Sequence, residues 1–541
     1  MGSLFFGDNL YILRDEIKNE SVDLVYLDPP FNSKRDYNLL FKTPKGHDSE
    51  AQITAFDDTW HWGEQAEREF AELLHQENTD VSEMIQSLRR FLKESDVMAY
   101  LVMMTNRLLE LHRVLKPTGS LYLHCDSTAS HYLKIVLDAV FSAENFRNEI
   151  IWKRKTGRGE TTHKSNRFGN STDTILFYAK SDKSIFNSQF NFEAEGYDEY
   201  IEKFYKHVDD QGRRYRIADL SSPSPRPNLT YEYKGYKPPR NGWAISREKM
   251  EQWDKEGRLF YPKDPNGRIQ RKRFFDELKG KPVQNLWDDI EMISSQSAER
   301  LGYPTQKPLA LLERIINASS NESDVVLDPF CGCGTAVHAA QTLKREWIGI
   351  DITHLAISLI EKRMKDAFPN VAFEVLGTPK DLGGARNLAE RDKYQFQWWV
   401  CSLVNAQPFQ GKKKGSDGGI DGLIFFQDDN SGAKKIIVSV KGGEHVSVTM
   451  VKDLIATVER EKAAIGIFIT LAEPTKPMIT EAVSTGFYES PKGNVPKIQI
   501  LTIDDLLSGK EKPQYFDMSS GVYNFKKAKV EKQKAEQKKL L

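Results

Sequence analysis

One segment limits the choice of fold more than any other: Val325-Val-Leu-Asp-Pro-Phe-Cys-Gly-Cys-Gly-Thr335. A short apolar run stops at Asp328-Pro329, glycines follow at Gly332 and Gly334, and a helix is expected from Thr335. Strand, glycine turn and helix are the repeating step of an α/β sheet. A second apolar run, Val22 to Leu27, stops in the same way at Asp28-Pro29-Pro30-Phe31. In open α/β sheets, ligands bind at the carboxyl ends of the strands. Further strands are expected at Ser120–Cys125, entered through a Lys116-Pro-Thr-Gly119 turn, at Ile175–Tyr178 and at Trp347–Ile350. Helical spacing of apolar residues covers 95–115, 308–318 and 335–344.

With 541 residues the chain is too long for one hydrophobic core, and two or three domains are expected. No apolar run approaches the ~18–20 residues of a membrane span, so no membrane partner is expected. The start, MGSLFFGDNL, has no basic region or cleavage site of a secretory signal. Four cysteines, Cys125, Cys331, Cys333 and Cys401, are too few for a disulfide framework and point to a reducing, cytoplasmic setting. A net charge of -1 excludes a uniformly basic coat but permits local basic patches.

Residues 185–295 are rich in Tyr, Trp, Arg, Lys, Pro and Gly, with poor periodicity, and read as an inserted, loop-rich module rather than core. Residues 375–390 read as a linker. A second α/β unit follows over 391–507, with strands at Leu423–Phe426, Ile436–Val440, Ile465–Ile469 and Ile498–Leu501. From Lys526 the chain reads as a solvated or frayed helix.

The first chemical constellation is Asp28-Pro29-Pro30-Phe31. Two prolines stiffen the backbone and fix the direction of two acceptors, the Asp28 carboxylate and the Pro29 carbonyl. Phe31 adds a flat apolar face. This set suits a planar base with an exocyclic amino group, which donates two hydrogen bonds while the ring stacks. Drawing those hydrogens out of the ring plane frees the nitrogen lone pair for attack, and acceptors aimed at the developing positive charge assist it. The tetrapeptide alone also fits a strand-terminating turn with a core phenylalanine.

The second constellation is the turn after Leu327. Gly332 and Gly334 let a ligand approach the backbone. A phosphate loop fits badly, because there is no Gly-Lys-[Ser/Thr] and Asp328 would repel phosphate. An acid beside a glycine turn suits a cationic or hydroxyl group. Asp351, about 20 residues on, has the spacing of an acid that binds ribose hydroxyls. S-adenosylmethionine, an adenosine with a cationic amino-acid arm, satisfies both. Cys331 and Cys333 do not make a zinc site, since no second Cys/His pair sits nearby in sequence.

With Tyr303-Pro-Thr-Gln-Lys-Pro308 added, the three segments resemble the amino-group DNA methyltransferases that act on adenine N6 or cytosine N4. The order, with DPPF first, then a variable insert, then YPTQKP and DPFCGCGT, resembles the β subgroup. The resemblance covers residues 1–375 or so. It implies a Rossmann-like α/β sheet using S-adenosylmethionine, and a DNA duplex partner from which the target base is flipped. It implies that Asp28, Pro29, Pro30 and Phe31 hold the base. It assigns Asp328, Pro329, Phe330, Gly332, Gly334 and Thr335 to the cofactor, with Asp351 on its ribose, Asp8 near its adenine, and Thr305 and Lys307 beside its methionine arm. Asp8 and Lys307 also read as an ordinary cap and a surface charge. Asp28, rather than serine, favours adenine N6, with cytosine N4 as the alternative. The insert would be the target-recognition region. Its candidate contacts are Arg213, Arg214, Arg216, Arg240, Arg271, Lys272 and Arg273, interleaved with Tyr231, Tyr233, Tyr236 and Trp243.

In the last unit, Gly415-Ser-Asp-Gly-Gly-Ile-Asp-Gly422 precedes a strand, and its neighbour ends Val438-Ser-Val-Lys-Gly-Gly443. Asp421 and Lys441 would meet at one end of a hairpin. Asp421, with the Val440 carbonyl, could hold Mg²⁺, and Lys441 could activate water. A Gly/Asp turn with a surface lysine is the plainer reading. The pattern resembles the PD-(D/E)xK nucleases, particularly Mrr-like restriction domains, except that Ser439 stands at the second metal-ligand position; Asp417 or Glu390 could replace the missing charge. The expected layout is a methyltransferase over 1–184 and 301–378, an insert over 185–300, a smaller α/β restriction-endonuclease-like domain over 391–510, and a basic tail over 511–541. A nucleoid-associated restriction–modification protein, with a homodimer allowed, is the leading expectation. The competitors are an orphan methyltransferase whose C-terminal domain only binds DNA, and an enzyme acting on RNA or protein glutamine.

Overall fold

The computed structural model describes residues 2–30, 36–42, 48–57, 61–154, 168–191, 197–264, 267–294, 297, 299–301, 303, 305–409, 419–429, 432–518 and 531. Phe31, Asp417 and, apart from Glu531, the segment from Lys526 onward lie outside the described residues. Among the described residues no helix is long and apolar enough to cross a membrane.

Nine strands form one sheet: Gly2–Phe6 (β1), Val22–Leu27 (β2), Leu115–Cys125 (β3), Phe146–Lys153 (β4), Thr172–Ala179 (β5), Leu286–Trp287 (β6), Val325–Asp328 (β7), Glu346–Asp351 (β8) and Phe373–Leu376 (β9). Their order is β6-β4-β5-β3-β2-β7-β8-β1-β9. From β3 to β9 the neighbours run parallel, while β5 is antiparallel to both β3 and β4. The helices that matter for the site are Asn9–Asp15 (α1), Asp96–Val114 (α2), Thr335–Thr342 (α3), His354–Ala367 (α4) and Lys393–Leu403 (α5).

The central strands are buried throughout, as parallel strands covered on both faces must be. Asp23 sits inside β2, and its charge is compensated by Lys116 at 2.7 Å and the Val325 N–H at 2.9 Å. β2 and β7 are in register at Val25 and Leu327, and β7 and β8 at Asp328 and Gly349. Because these strands run the same way, Asp28, Asp328 and Asp351 all leave the sheet at one edge.

Three expectations change. Lys116–Gly119 is not a turn before a strand; it lies inside β3. Val22 pairs with Leu115 and Leu24 with Ser120, so two steps along β2 match five along β3, and the Pro-Thr-Gly segment bulges out. The expected linker is largely ordered: β9 ends at Leu376 and a helix spans Leu382–Arg391. Its two glycines fall in the first turn, where Asp381 accepts the Gly384 N–H at 2.7 Å, and Ala385, Leu388 and Ala389 are buried.

The third change concerns the insert. Ser188–Gln284 is a compact unit in its own right. Strands Leu259–Phe260, Gln270–Phe274, Arg214–Ala218 and His207–Val208 form an antiparallel sheet in that order. Leu220, Tyr233, Trp243, Met250, Leu259 and Ile269 make its core, with Tyr231 and Tyr236 packed against it. The aromatic residues expected to face nucleic acid therefore stabilise the unit itself. The Trp243 indole N–H, for example, is satisfied by the Tyr231 carbonyl at 2.8 Å.

In the C-terminal region Gln407–Pro408 (β10), Gly422–Phe426 (β11), Lys434–Lys441 (β12), Ile465–Thr470 (β13) and Ile498–Thr502 (β14) form a second sheet in that order. β10, β11 and β12 are antiparallel; β12, β13 and β14 are parallel.

Candidate active site

The shared sheet edge opens into a cavity of about 580 Å³, within the range of small-molecule sites. Asp28, Pro29 and Pro30 line it together with Asp328, Pro329, Phe330, Gly332, Thr335 and Asp351. Asp8, Thr305 and Lys307 line it too. Gly334 is not on the wall.

The glycine turn is built by its backbone. Gly332 and Gly334 have φ of 50° and 73°, the left-handed region that favours glycine. A Cβ on Gly334 would come within 2.8 Å of the Ile360 side chain. The turn is tied to β8: the Cys331 N–H donates to the Ile350 carbonyl at 3.1 Å, and the Gly332 N–H to Asp351 Oδ2 at 2.9 Å. Asp351 Oδ1 accepts from both the backbone and the hydroxyl of Thr353, each at 2.9 Å. Burial lifts the Asp351 carboxyl to about 6 against these bonds. Burial also pushes Asp328 well above the usual carboxylate range; the Phe330 N–H at 3.1 Å opposes this, and the charges of Asp28 and Asp351 add to it. Thr335 Oγ1 accepts from the buried Arg363 at 3.2 Å, which also holds the Cys333 carbonyl at 2.9 Å. Tyr303 packs over Gly332, and burial raises its phenol well above the ordinary value.

Lys307 is ion-paired with Asp28 inside the cavity, so it is not a surface charge. The pair fixes one oxygen of the carboxylate and leaves the other as an acceptor. Asp8 combines two expected roles. It caps α1 through the Leu10 N–H at 2.9 Å and lines the cavity.

Sequence reasoning missed the group that orders this end. Arg107 of α2 is buried, and donates to Asp8 Oδ1 at 2.9 Å and Asn9 Oδ1 at 2.6 Å. The Asn9 amide donates in turn to the Pro329 carbonyl at 2.8 Å. One arginine thereby links α1 to the DPF turn. The available signal was a lone arginine among Met103, Met104, Leu108 and Leu111 on a helix otherwise apolar at those positions. Tyr26 also lines the cavity, and its hydroxyl meets the buried His124 at 3.2 Å, itself paired with Asp173 at 3.1 Å.

In the C-terminal sheet, Asp421 and Lys441 do meet, at 3.6 Å. Asp421 is already occupied, however. Its Oδ2 accepts from the Val440 N–H at 2.6 Å and the Ser439 hydroxyl at 3.3 Å, and its Oδ1 from the Gln397 amide at 2.7 Å. Val440 thus faces the carboxylate with its N–H, as a donor. Among the described residues no group of three or more His, Cys, Asp or Glu side chains is arranged to hold a metal ion. This geometry lends no support to the expected Mg²⁺ site.

A family model described as DNA methylase, for N6 and N4 enzymes, matches residues 22–362. The chain belongs to this DNA methylase family. Residues 398–508 match a different family, described as NACHT-associated inactive Restriction Endonuclease 1. The expected restriction-endonuclease-like likeness is present, but the matched family is an inactive type, and cleavage activity is not supported. Among curated proteins, the methylase is 30% identical over 364 residues to the Type II methyltransferase M.EcaI of Enterobacter cloacae, covering 67% of this chain and 69% of that protein. It is 28% identical over 356 residues to the StyLTI Mod subunit, of a Type III restriction-modification enzyme, from Salmonella typhimurium, covering 63% of this chain and 50% of that protein. Among solved structures, TTHA0409 of Thermus thermophilus, complexed with S-adenosyl-L-methionine, aligns at a TM-score of 0.33 and 16% identity, over 70% of this chain and 98% of that one.

Proposed function

We propose that this methylase transfers a methyl group from S-adenosylmethionine to N6 of adenine in DNA, as the modification component of a restriction–modification system and with the β-type order of motifs. The observation that carries the reading is the common cavity of Asp28–Pro30 and the Asp328–Thr335 turn. The acids at 8, 328 and 351 suit a cofactor that presents a cation and ribose hydroxyls, and the glycine turn allows its close approach. Bound there, S-adenosylmethionine supplies an electrophilic methyl group. Asp28 and the Pro29 carbonyl accept the two hydrogens of the target amine. Lys307 holds the Asp28 carboxylate in place during this step. The proton released as the amine is alkylated leaves by way of Asp28. Incubation with labelled cofactor and DNA, followed by digestion to nucleosides, tests the assignment. N6-methyladenine is expected; N4-methylcytosine would overturn the base, and label transfer persisting in Asp28→Ala would overturn the site.

The insert is the target-recognition unit in this reading, and its sheet register supports a phosphate-binding face. Arg216 lies directly opposite Arg273, and Arg271 opposite Ala218. With side chains alternating along each strand, Arg214, Arg216, Arg271 and Arg273 share one face. Like charges directly opposite each other are destabilising. The Nε atoms of Arg216 and Arg271 are buried without a hydrogen-bond partner among the described residues. DNA phosphates would neutralise this face.

The C-terminal domain binds rather than cuts in this reading, because the family that residues 398–508 match is an inactive type. Supercoiled plasmid with Mg²⁺ or Mn²⁺ should remain intact. Nicking that disappears in Asp421→Ala and Lys441→Ala would overturn that part.

A further inference from the structure

The cavity has a wall that belongs to neither half of the methylase sheet. Tyr394, Gln395 and Trp398 of α5 line it beside Asp351, Ile352 and Thr353. Tyr394 and Gln395 lie between the two family-matched segments, so no family role attaches to them. We propose that α5 is a cofactor-binding element: Tyr394, with Gln395 and Trp398 behind it, closes the adenosine end of the cavity. The inference rests on the reading of that cavity as the S-adenosylmethionine site.

Three sets of contacts place the helix there. The first is at its start, where Asp392 Oδ1 accepts the N–H groups of Tyr394 and Gln395 at 3.0 Å each. This cap fixes the first turn, which carries both residues. The second joins α5 to the Asp351 loop. Gln395 Oε1 accepts the His354 N–H at 3.1 Å, and His354 follows Thr353, whose backbone and hydroxyl hold Asp351. A shift of α5 is therefore transmitted to the ribose-binding acid through three residues. The third is apolar. Trp398 packs in one continuous cluster with Tyr303, Cys333 and Leu355 of the methylase and with Ile420, Leu423 and Phe468 of the C-terminal sheet. The core of the C-terminal domain thus extends to the wall of the cofactor cavity.

The exposed side chains indicate what the wall would bind. Tyr394 and Ile352 are each 57% exposed although both line the cavity. A flat aromatic ring and a branched aliphatic side chain, both exposed and both lining the cavity, suit a planar heteroaromatic base, which would bury them. Of the parts of the cofactor, only adenine has that shape.

The same helix explains what the acid expected to serve a nuclease does instead. Gln397, on α5, is held by Asp421, and Asp421 by the Val440 N–H. Asp421 is thereby a positioning residue for the cavity wall, acting through α5 without touching the cofactor.

Calorimetric titration of the full-length chain with S-adenosylmethionine tests this. Tyr394→Ala should weaken binding about tenfold, the loss expected for one base–aromatic stack, while Tyr394→Phe should bind like wild type. Tyr394 is exposed, so both variants should melt like wild type. Hydrogen exchange needs no variant: α5 amides in the wild type should gain protection on cofactor addition. Unchanged affinity in Tyr394→Ala, together with unchanged α5 exchange in a wild type that binds the cofactor, would overturn the proposal. A wild type that binds no S-adenosylmethionine would instead overturn the methyltransferase reading on which it rests.

Discussion

Asp28 and Asp421 arise from the same kind of sequence signal but meet different fates. Asp28 follows a strand and Asp421 precedes one, and each has a lysine partner from another segment, Lys307 or Lys441. Asp28 looks into a cavity with an oxygen still able to accept. Asp421 has its oxygens covered by Val440, Ser439 and Gln397. The comparison shows that an acid and a lysine brought together do not make a reaction centre. What distinguishes them is where the carboxylate lies: Asp28 lines the cavity, whereas Asp421 does not and ties β12 to α5.

The sharpest way to break this comparison is to remove each acid. Asp28→Ala should reduce methyl transfer by about 10²–10³-fold or more, the usual cost of losing a preorganised group at the reacting atom, with cofactor affinity nearly unchanged. Steady-state rates with labelled cofactor measure this. A loss of less than tenfold would place Asp28 outside the chemistry.

Next in size is a pH effect. Burial raises Asp351 to about 6 and drives Asp328 in the same direction. The ionised forms are the stronger acceptors for ribose hydroxyls and the ones that attract a cation. Binding is therefore coupled to loss of a proton, and affinity must fall as pH drops. The fall for one coupled proton is up to about tenfold per pH unit below about 6. Calorimetry between pH 5 and 8 should show affinity rising with pH. A flat profile would mean that neither acid contacts the ligand.

Much of this architecture was legible in the residues. The runs ending at Asp28 and Asp328 are strands because apolar β-favouring stretches were cut short by Asp-Pro, and the parallel sheet brings such ends to one edge. Other features follow from partners distant in sequence. Arg107 gains its meaning from Asn9 and Asp8, some 98 and 99 positions away. Tyr233 and Trp243 resembled nucleic-acid contacts by composition, but a unit of this size needs its aromatic residues for its own core. Gly383 and Gly384 suggested a linker, yet the Asp381 cap and the burial of Leu388 outweigh their low helix propensity.

The insert gives a second contrast, between its aromatic and its cationic residues. Tyr233→Ala should destabilise the unit, whereas the double variant Arg216→Ala/Arg273→Ala should leave its melting unchanged or slightly raised, since it relieves a cross-strand repulsion. DNA affinity should fall, and the slope of log affinity against log salt should flatten by about two, one for each phosphate that no longer has its arginine. Filter binding between 50 and 200 mM salt reads this slope. An unchanged slope would remove this face from the interface.

The smallest expected effect returns to Asp421. Asp421→Ala leaves the Val440 N–H and the Gln397 amide without their acceptor, which should cost about 1–3 kcal/mol of stability. Because Gln397 sits on the helix that walls the cavity, S-adenosylmethionine should also bind about threefold more weakly, less than 1 kcal/mol. Affinity for DNA and the rate at saturating cofactor should not change, a split that general destabilisation would not produce. Asp421→Asn, which keeps an acceptor for the Val440 N–H, should recover most of the cofactor affinity. If Asp421→Ala instead left cofactor binding untouched and abolished a metal-dependent nicking activity, the two acids would be alike after all, and Asp421 would be a reaction centre.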